Sequence, residues 1–266
     1  MSGERRPPTH MATYAMSDIH GDRARFHALL DFLAFSAQDR LYILGDVIDR
    51  GPEGIELLQD IRRAENMTLL LGNHEYMCLQ YYAADADETV RRRWDRNRNA
   101  PTKEGLARCS EGERAALFDY IAALPSHLEV RVGQREFYLV HGFPGGTVHD
   151  EVWQRPQPDT PSPFPGKTLL IGHTPVVCLG RSDEEADVIC AELAARGEHL
   201  RIFHGPGYLD LDCLCGYEEY PARALACALK NNIVLIVALT AAVATCFFVP
   251  PDGEYLSYFD LRTLSC

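Results

Sequence analysis

The chain has 266 residues, of which 46% are hydrophobic and 24% are charged, as in an ordinary globular enzyme with a full apolar core. Its formal net charge of −12 excludes a general nucleic-acid-binding role, because an acidic surface repels the phosphate backbone. Nine cysteines without a C-x-x-C pair argue against a structural zinc site or a disulfide framework, and they indicate a reducing cytoplasmic location.

The first eleven residues are predicted to be a disordered extension. They are polar, contain two prolines and lack the apolar core of a secretory signal. The remaining residues, 12–266, suit one large domain.

Short apolar runs alternate with amphipathic segments through residue 71. Strands are predicted at 12–17, 40–44 and 67–71, and helices at 23–36 and 53–64. This βαβαβ order implies a parallel sheet with right-handed crossovers.

The later part of the chain is predicted to mix helices and strands in the same way. A charged helical segment is predicted at 85–125, an amphipathic helix at 183–197, and strands at 136–140, 168–171, 208–212 and 222–229.

Residues 233–249 form a stretch of 17 residues without a charge. The stretch sits at the short end of the range for a membrane span, so an enzyme attached to a membrane near its C-terminus is one interpretation. Its β-branched and aromatic content favours buried strands, such as a hairpin that turns near Thr240.

Polar clusters follow five of the predicted strands. The first three strands end in SDIHGD (17–22), GDVIDRG (45–51) and GNHE (72–75), and two later strands end in His141 and His173. Because ligands bind beyond the carboxyl ends of parallel strands, we expect these clusters to converge on one edge of the sheet.

The clusters together supply two carboxylates, three imidazoles and one amide. A single D-x-H is usually an ordinary loop feature, but five clusters in this order favour a metal site. Mixed nitrogen and oxygen donors suit Mn, Fe or Zn and suffice for two divalent cations that share an activated hydroxide. The candidate ligands are Asp18, His20, Asp46, Asn73, His141 and His173.

The succession D-x-H-G, G-D-x-x-D-R-G and G-N-H-E resembles the calcineurin-like metallophosphoesterases. It is most similar to the PPP-type serine/threonine protein phosphatases of the bacterial and bacteriophage lambda kind. The similarity runs from about residue 12 to residue 213 and includes VHG (140–142), VWQRP (152–156) and IGHTP (171–175). It implies a single-domain α/β/β/α sandwich with the metal site at the carboxyl ends of the strands.

The resemblance also implies how the ligands divide between two metals. One metal would be held by Asp18, His20 and Asp46. The other would be held by Asp46, Asn73, His141 and His173.

Four further residues receive roles from the resemblance. His74 would be the general acid, oriented by Asp49, and Arg50 and Arg155 would bind the phosphoryl oxygens. These roles agree with elementary chemistry, because an alkoxide leaving group needs a proton and a guanidinium neutralises charge on the equatorial oxygens.

The sequence therefore predicts a serine/threonine protein phosphatase that uses two divalent cations, Mn first and Fe or Zn as alternatives. Its partner would be a phosphorylated protein or a small phosphoester. Diadenosine tetraphosphate hydrolases share the metal set, and a catalytically silent binding protein is a third interpretation. Residues 176–206 are longer than a typical loop after G-H-T and are interpreted as a family-specific insertion.

Overall fold

The computed structural model describes residues 12–217 and 219, together with the backbone of four strands at 227–230, 233–239, 244–249 and 259–260. The predicted disordered extension, residues 1–11, lies outside the described residues. So do residues 222–226 of the last predicted strand and Thr240, where a hairpin turn was expected.

The described elements follow the predicted alternation. The strands are β1 (Thr13–Met16), β2 (Arg40–Ile43), β3 (Met67–Leu69), β4 (His127–Val132), β5 (Arg135–Val140), β6 (Lys167–Ile171), β7 (Phe203–Gly205), β8 (Tyr208–Asp210), β9 (Cys227–Lys230), β10 (Ile233–Leu239), β11 (Ala244–Val249) and β12 (Phe259–Asp260). The helices are α1 (Arg23–Phe32), α2 (Gly54–Arg63), α3 (Asn73–Tyr82), α4 (Glu88–Asp95), α5 (Ala100–Arg108), α6 (Glu111–Ala122), α7 (Val148–Trp153) and α8 (Asp183–Ala195).

The strands form two sheets. One has the order β12-β11-β10-β9-β1-β2-β3, and the other has the order β4-β5-β6-β8-β7. Strands β1, β2 and β3 are parallel neighbours, which confirms the parallel sheet expected from the βαβαβ pattern. The first sheet is nevertheless mixed, because β9 pairs with β1 in the antiparallel direction.

The two faces of the first sheet belong to different cores, as the alternation of side chains along a strand requires. Tyr14 and Met16 pack with helical residues such as Leu29 and Leu58. Ala15 packs instead in a cluster with Leu139 and other residues of the second sheet. The fold is thus an α/β sandwich in which two sheets share a core, as predicted.

The uncharged stretch 233–249 contains two strands. Strands β10 and β11 pair in the antiparallel direction, with Val234 opposite Val249 and Leu239 opposite Ala244. Among the described residues, no helix has the length and apolar character needed to cross a membrane.

Five of the described helices and strands were not predicted from the sequence: α3, α7, β4, β7 and β12. Strand β4 is an edge strand of the second sheet, β7 has three residues and α7 has six. Strand β7 and helix α7 are too short to leave much periodic signal, whereas β4 has six residues and α3 has ten. Helix α7 does begin at a capping box, in which the side chains of Thr147 and Asp150 bond each other's backbone N–H groups.

The ends of β2 and β3 approach each other at two glycines. Gly45 has φ +99°, and a Cβ atom there would lie 2.5 Å from Gly72 Cα and 2.7 Å from Gly72 N. Because the neighbouring atoms are backbone, no side-chain movement could relieve the overlap. This contact sets the spacing of the loops that carry the polar motifs.

We expect the substitution Gly45→Ala to lower the free energy of unfolding by more than about 3 kcal/mol, since it adds both a strained φ and a backbone overlap. Urea unfolding monitored by circular dichroism would measure the change. Gly146→Ala is the matched control, because a Cβ atom at Gly146 meets nothing within 4 Å. Equal unfolding midpoints for the two variants would contradict this role of Gly45.

Candidate metal centre

The polar clusters after β1, β2, β3, β5 and β6 converge at one end of the sandwich. Backbone bonds tie the first two loops together, since His20 N donates to Asp46 O at 2.9 Å and Gly21 N donates to Val47 O at 2.7 Å. The last two loops are joined by Gly172 N, which donates to His141 O at 2.8 Å. The two sheets therefore contribute to one site.

One group of candidate ligand atoms comes from His20, Asp46 and His74, whose donor atoms lie within 4.8 Å of one another. His20 Nδ1 lies 3.0 Å from the carbonyl oxygen of Ile48 and donates to it, which leaves Nε2 facing the site. That Nε2 atom lies 3.6 Å from Asp46 Oδ2 and 3.9 Å from Asp18 Oδ1.

A second group comes from Asp46, His141 and His173. His141 Nδ1 donates to the carbonyl oxygen of Leu44 at 2.6 Å, so Nε2 points into the site, 3.3 Å from Asp46 Oδ1. Asn73 Oδ1 lies 2.9 Å from both His141 Nε2 and His173 Nδ1.

Asp46 is the residue that the two groups share. Its Oδ2 atom faces His20, and its Oδ1 atom faces His141. Asp18 completes the arrangement, because its Oδ2 accepts a hydrogen bond from His173 N at 3.1 Å. All six side chains predicted as ligands are buried and lie around this carboxylate.

Burial decides the protonation of two of the imidazoles. It lowers the pKa of His20, and Arg50 lowers it further. Burial also lowers the pKa of His173, with His141 and Arg155 acting in the same direction. Both rings are therefore neutral near pH 7, the form in which a histidine can bind a metal.

His141 and Asp46 form an attractive pair. Burial alone would lower the pKa of His141, but Asp46 and Asp18 outweigh it and raise the value to about 9. Burial alone would raise the pKa of Asp46, but His141 and His74 hold it well below the ordinary value. The carboxylate is thus ionised, and a cation would replace the proton that His141 carries.

The donor set fits divalent cations. His20 Nε2 and His173 Nε2 are buried without a hydrogen-bond partner, which is costly for a polar atom unless a ligand satisfies it. The donors are imidazoles, carboxylates and an amide oxygen, a combination that suits transition metals and contains no thiolate.

Backbone strain is concentrated at the same place. In the described part of the chain, nine non-glycine residues have positive φ, and six of them are predicted site residues: Asp18, His20, Asp46, Asp49, Arg50 and His173. Such conformations persist only where the surroundings enforce them, and they cluster at functional sites.

His74 is held by a buried network. Its Nδ1 donates to Asp49 Oδ2 at 2.6 Å, and the same oxygen accepts a hydrogen bond from Trp94 Nε1 at 2.6 Å. Thr102 Oγ1 donates to Asp49 Oδ1 at 2.5 Å. The carboxylate therefore fixes the ring, and His74 Nε2 faces the site 3.7 Å from Asp46 Oδ2.

The two predicted phosphate-binding arginines lie at the mouth of the centre. The guanidinium of Arg50 stacks on the ring of Tyr217 at 4.1 Å, and its Nη2 lies 3.3 Å from His74 Nε2. Arg155 is exposed, and its charge helps to lower the pKa of His173. Both side chains can therefore approach an anion bound at the centre.

Glu75 is a site residue that the sequence analysis did not assign. Its carboxylate accepts hydrogen bonds from four backbone N–H groups, of Asp46 (2.8 Å), Val47 (2.8 Å), Ile48 (3.2 Å) and Gly72 (3.1 Å). It therefore holds the loop that presents Asp46. Its place in the GNHE motif was the available signal.

A buried acidic pair next to the centre was also not assigned. Asp210 Oδ1 accepts a hydrogen bond from Asp212 N at 3.1 Å, and both residues are buried. Burial raises the pKa of Asp212 to about 8, and the nearby charge of Asp18 adds to the effect. The D-L-D sequence that begins at the last residue of β8 is a sixth polar strand end, which the pattern of the other five could have revealed.

Comparison with known proteins gives a family and several relatives. The family model of the calcineurin-like phosphoesterases matches residues 11–205. A symmetrical bis(5'-nucleosyl)-tetraphosphatase of Nitrosomonas europaea is 32% identical over 133 residues, which cover 49% of this chain and 44% of the relative. The chain thus spans less than half the length of the curated relatives it matches.

Solved structures agree on the fold. A structure provisionally named a diadenosine tetraphosphatase has a TM-score of 0.51 at 16% identity, covering 91% of this chain and 96% of its own. A cold-active protein-tyrosine phosphatase of a psychrophilic Shewanella also has a TM-score of 0.51 at 16% identity. The match covers 93% of this chain and 80% of that phosphatase. The match to the family model over most of the chain places this protein in the calcineurin-like phosphoesterase family.

Proposed function

We propose that this protein hydrolyses dinucleoside polyphosphates, with water breaking the central anhydride of a tetraphosphate to leave two nucleoside diphosphates. The observation that carries the proposal is the similarity to symmetrical bis(5'-nucleosyl)-tetraphosphatases, combined with a centre whose two donor groups share Asp46. The sequence favours a protein phosphatase as the first hypothesis and a diadenosine tetraphosphate hydrolase as the alternative. The relatives favour the alternative.

Hydrolysis of phosphoproteins is the second candidate. It is supported by the hydrogen bond from His74 Nδ1 to Asp49, because a positioned imidazole is most useful when the leaving group is a strongly basic alkoxide such as that of serine. An anhydride has a phosphate leaving group, which is a much weaker base and needs less protonation.

The residues proposed to hold two divalent cations, Mn first and Fe or Zn as alternatives, are those predicted from the sequence. Asp18, His20 and Asp46 would hold one ion, and Asp46, Asn73, His141 and His173 the other. Bound there, the ions would supply an activated water and neutralise developing charge on the phosphoryl oxygens. Asp46 is suited to bridge them because its two oxygens face different groups.

The other residues act directly on the substrate. The Arg50 guanidinium, held against Tyr217, would bind the phosphoryl oxygens, and Arg155 would approach them from the opposite loop. His74 Nε2 would protonate the leaving oxygen, while Asp49 keeps the proton of the ring on Nδ1 and stabilises the charged form.

The interpretation as a catalytically silent binding protein does not explain why the whole set of candidate site residues is present. Every side chain proposed as a ligand is present and buried, and the His74–Asp49 pair is intact. The cytoplasmic location expected from the cysteines stays a prediction, and the six cysteines whose side chains the structure describes form no disulfide.

A substrate panel separates the two candidates. With Mn present, we expect kcat/KM for diadenosine tetraphosphate to exceed that for a phosphoserine peptide by at least about 100-fold, since specificity follows differential transition-state binding. Chromatography of the nucleotide products would check the site of cleavage, with ADP as the only nucleotide. Faster release of phosphate from the peptide would instead support the protein phosphatase.

The substitution Asp46→Asn should lower the number of bound metal ions, because an amide carries no charge and its nitrogen cannot be a ligand. Metal analysis of the protein after dialysis against Mn would measure the loss. Asp85→Asn, at an exposed position, is the matched control and should bind metal as the unaltered protein does. Full metal content in both variants would contradict the bridging role.

The substitution His74→Asn should lower kcat for an alkyl phosphate by about 10²- to 10⁴-fold while the bound metal is retained. The loss for diadenosine tetraphosphate should be smaller, because its leaving group needs less protonation. Steady-state kinetics on the two substrates would test the difference. His204→Asn, on an exposed position of β7, is the control. An equal loss on both substrates would show that His74 is not the proton donor.

A further inference from the structure

A cavity of about 280 Å³ lies beside the metal centre, between α8 and the loop that follows β6. We call it the α8 cavity. Its apolar walls come from Val177, Ala186, Leu214 and the ring of Tyr217. The size is close to the lower end of the range for small-molecule sites, about 300 Å³. Helix α8 belongs to the segment 176–206, which the sequence analysis interprets as an insertion.

The α8 cavity adjoins the predicted phosphate site at Tyr217. Tyr217 borders the cavity, and the same ring stacks under the guanidinium of Arg50 at 4.1 Å. Pro175, another wall residue, follows the metal-ligand candidate His173 by two positions. A molecule whose phosphates lie at Arg50 could therefore extend its other end into the cavity.

The thiols in the wall do not indicate a redox or nucleophilic site. Burial raises the pKa of Cys178 to about 11 and also raises the pKa of Cys190. Both thiols are protonated near pH 7 and act as small apolar groups, since the thiolate is the reactive form.

The chemistry of the lining indicates a flat, apolar group that carries hydrogen-bond donors. Apolar side chains and an aromatic ring suit the faces of a heteroaromatic base. Asp183 and Asp187, on the first two turns of α8, place carboxylates on the same cavity. Ionised carboxylates only accept hydrogen bonds, so they favour a base with an exocyclic amino group over one with a carbonyl there.

We propose that the α8 cavity binds the amino-bearing base, adenine first, of a nucleotide whose phosphates lie at Arg50 and the metal centre. The proposal rests on the proposed function and names the part of the substrate that the α8 cavity recognises. It assigns Asp183 and Asp187 as the groups that select the base.

Calorimetric titration of the Mn-loaded protein tests the proposal without requiring turnover. The probes are ADP, IDP, which has a carbonyl in place of the amino group, and pyrophosphate. We expect ADP to bind at least about tenfold more tightly than pyrophosphate, because a stacked base adds to the phosphate contacts. IDP should bind more weakly than ADP. Equal affinities for all three probes would overturn the proposal.

Filling the cavity supplies a second test. Ala186→Leu should reduce the preference for ADP over pyrophosphate by about tenfold, because the added side chain occupies the space of the base. Ala191→Leu, the same change on the exposed side of α8, should leave the preference unaltered. An undiminished preference in Ala186→Leu would place the base elsewhere.

Because Ala186 is buried and its variant could fail to fold, an exposed position gives an independent result. Asp183→Asn should narrow the difference in affinity between ADP and IDP, since an amide can also donate a hydrogen bond to the carbonyl of IDP. Glu184→Gln removes the same charge from the same helical turn, but Glu184 does not line the cavity. This variant should keep the full difference in affinity between ADP and IDP. Identical behaviour of the two variants would remove Asp183 from base selection.

The two proposals can fail separately. If diadenosine tetraphosphate is not cleaved while ADP binds more tightly than pyrophosphate, the proposed reaction is wrong and the assignment of the cavity stands. If the tetraphosphate is cleaved while ADP and pyrophosphate bind equally, the reaction stands and the cavity has no role in recognising the base.

Discussion

The ionised carboxylate of Asp46, only 1% exposed, is the group around which the centre is arranged. A buried charge is costly unless it is paired and hydrogen-bonded. Here His141 supplies the opposite charge, and the backbone N–H of His74 donates to Asp46 Oδ1 at 3.0 Å. Divalent cations at the two donor groups would compensate the same charge more completely and would satisfy the unpartnered Nε2 atoms of His20 and His173.

The frame that holds Asp46 is made by backbone contacts. Three N–H groups of the loop after β2 and the N–H of Gly72, after β3, donate to Glu75 and tie the two loops together. The approach of Gly45 to Gly72 sets the distance between them. A site placed on rigid strand ends and tied by such bonds keeps its donors in position before any ligand arrives. The positive φ values at the site residues are a consequence of this frame.

In the proposed function, the surroundings of the centre divide into a part for phosphate and a part for the remainder of a substrate. Arg50 belongs to the first part, and Tyr217 connects it to the second, the α8 cavity. Members of a phosphoesterase family can share the first part, because the phosphoryl group is the same in every substrate. Selectivity between substrates would then come from the second part.

The sequence by itself predicted most of the local elements and the set of candidate ligands, because strand ends and their polar motifs are written in consecutive residues. It predicted β1 to β3 and placed Asp18, Asp46 and Asn73 at their ends. Only the tertiary structure decided that Trp94 and Thr102 reach Asp49 from 45 and 53 residues away, and that Tyr217 lies against Arg50. Contacts between side chains so distant along the chain leave no periodic pattern, since they depend on how helices and loops pack after the sheets have formed.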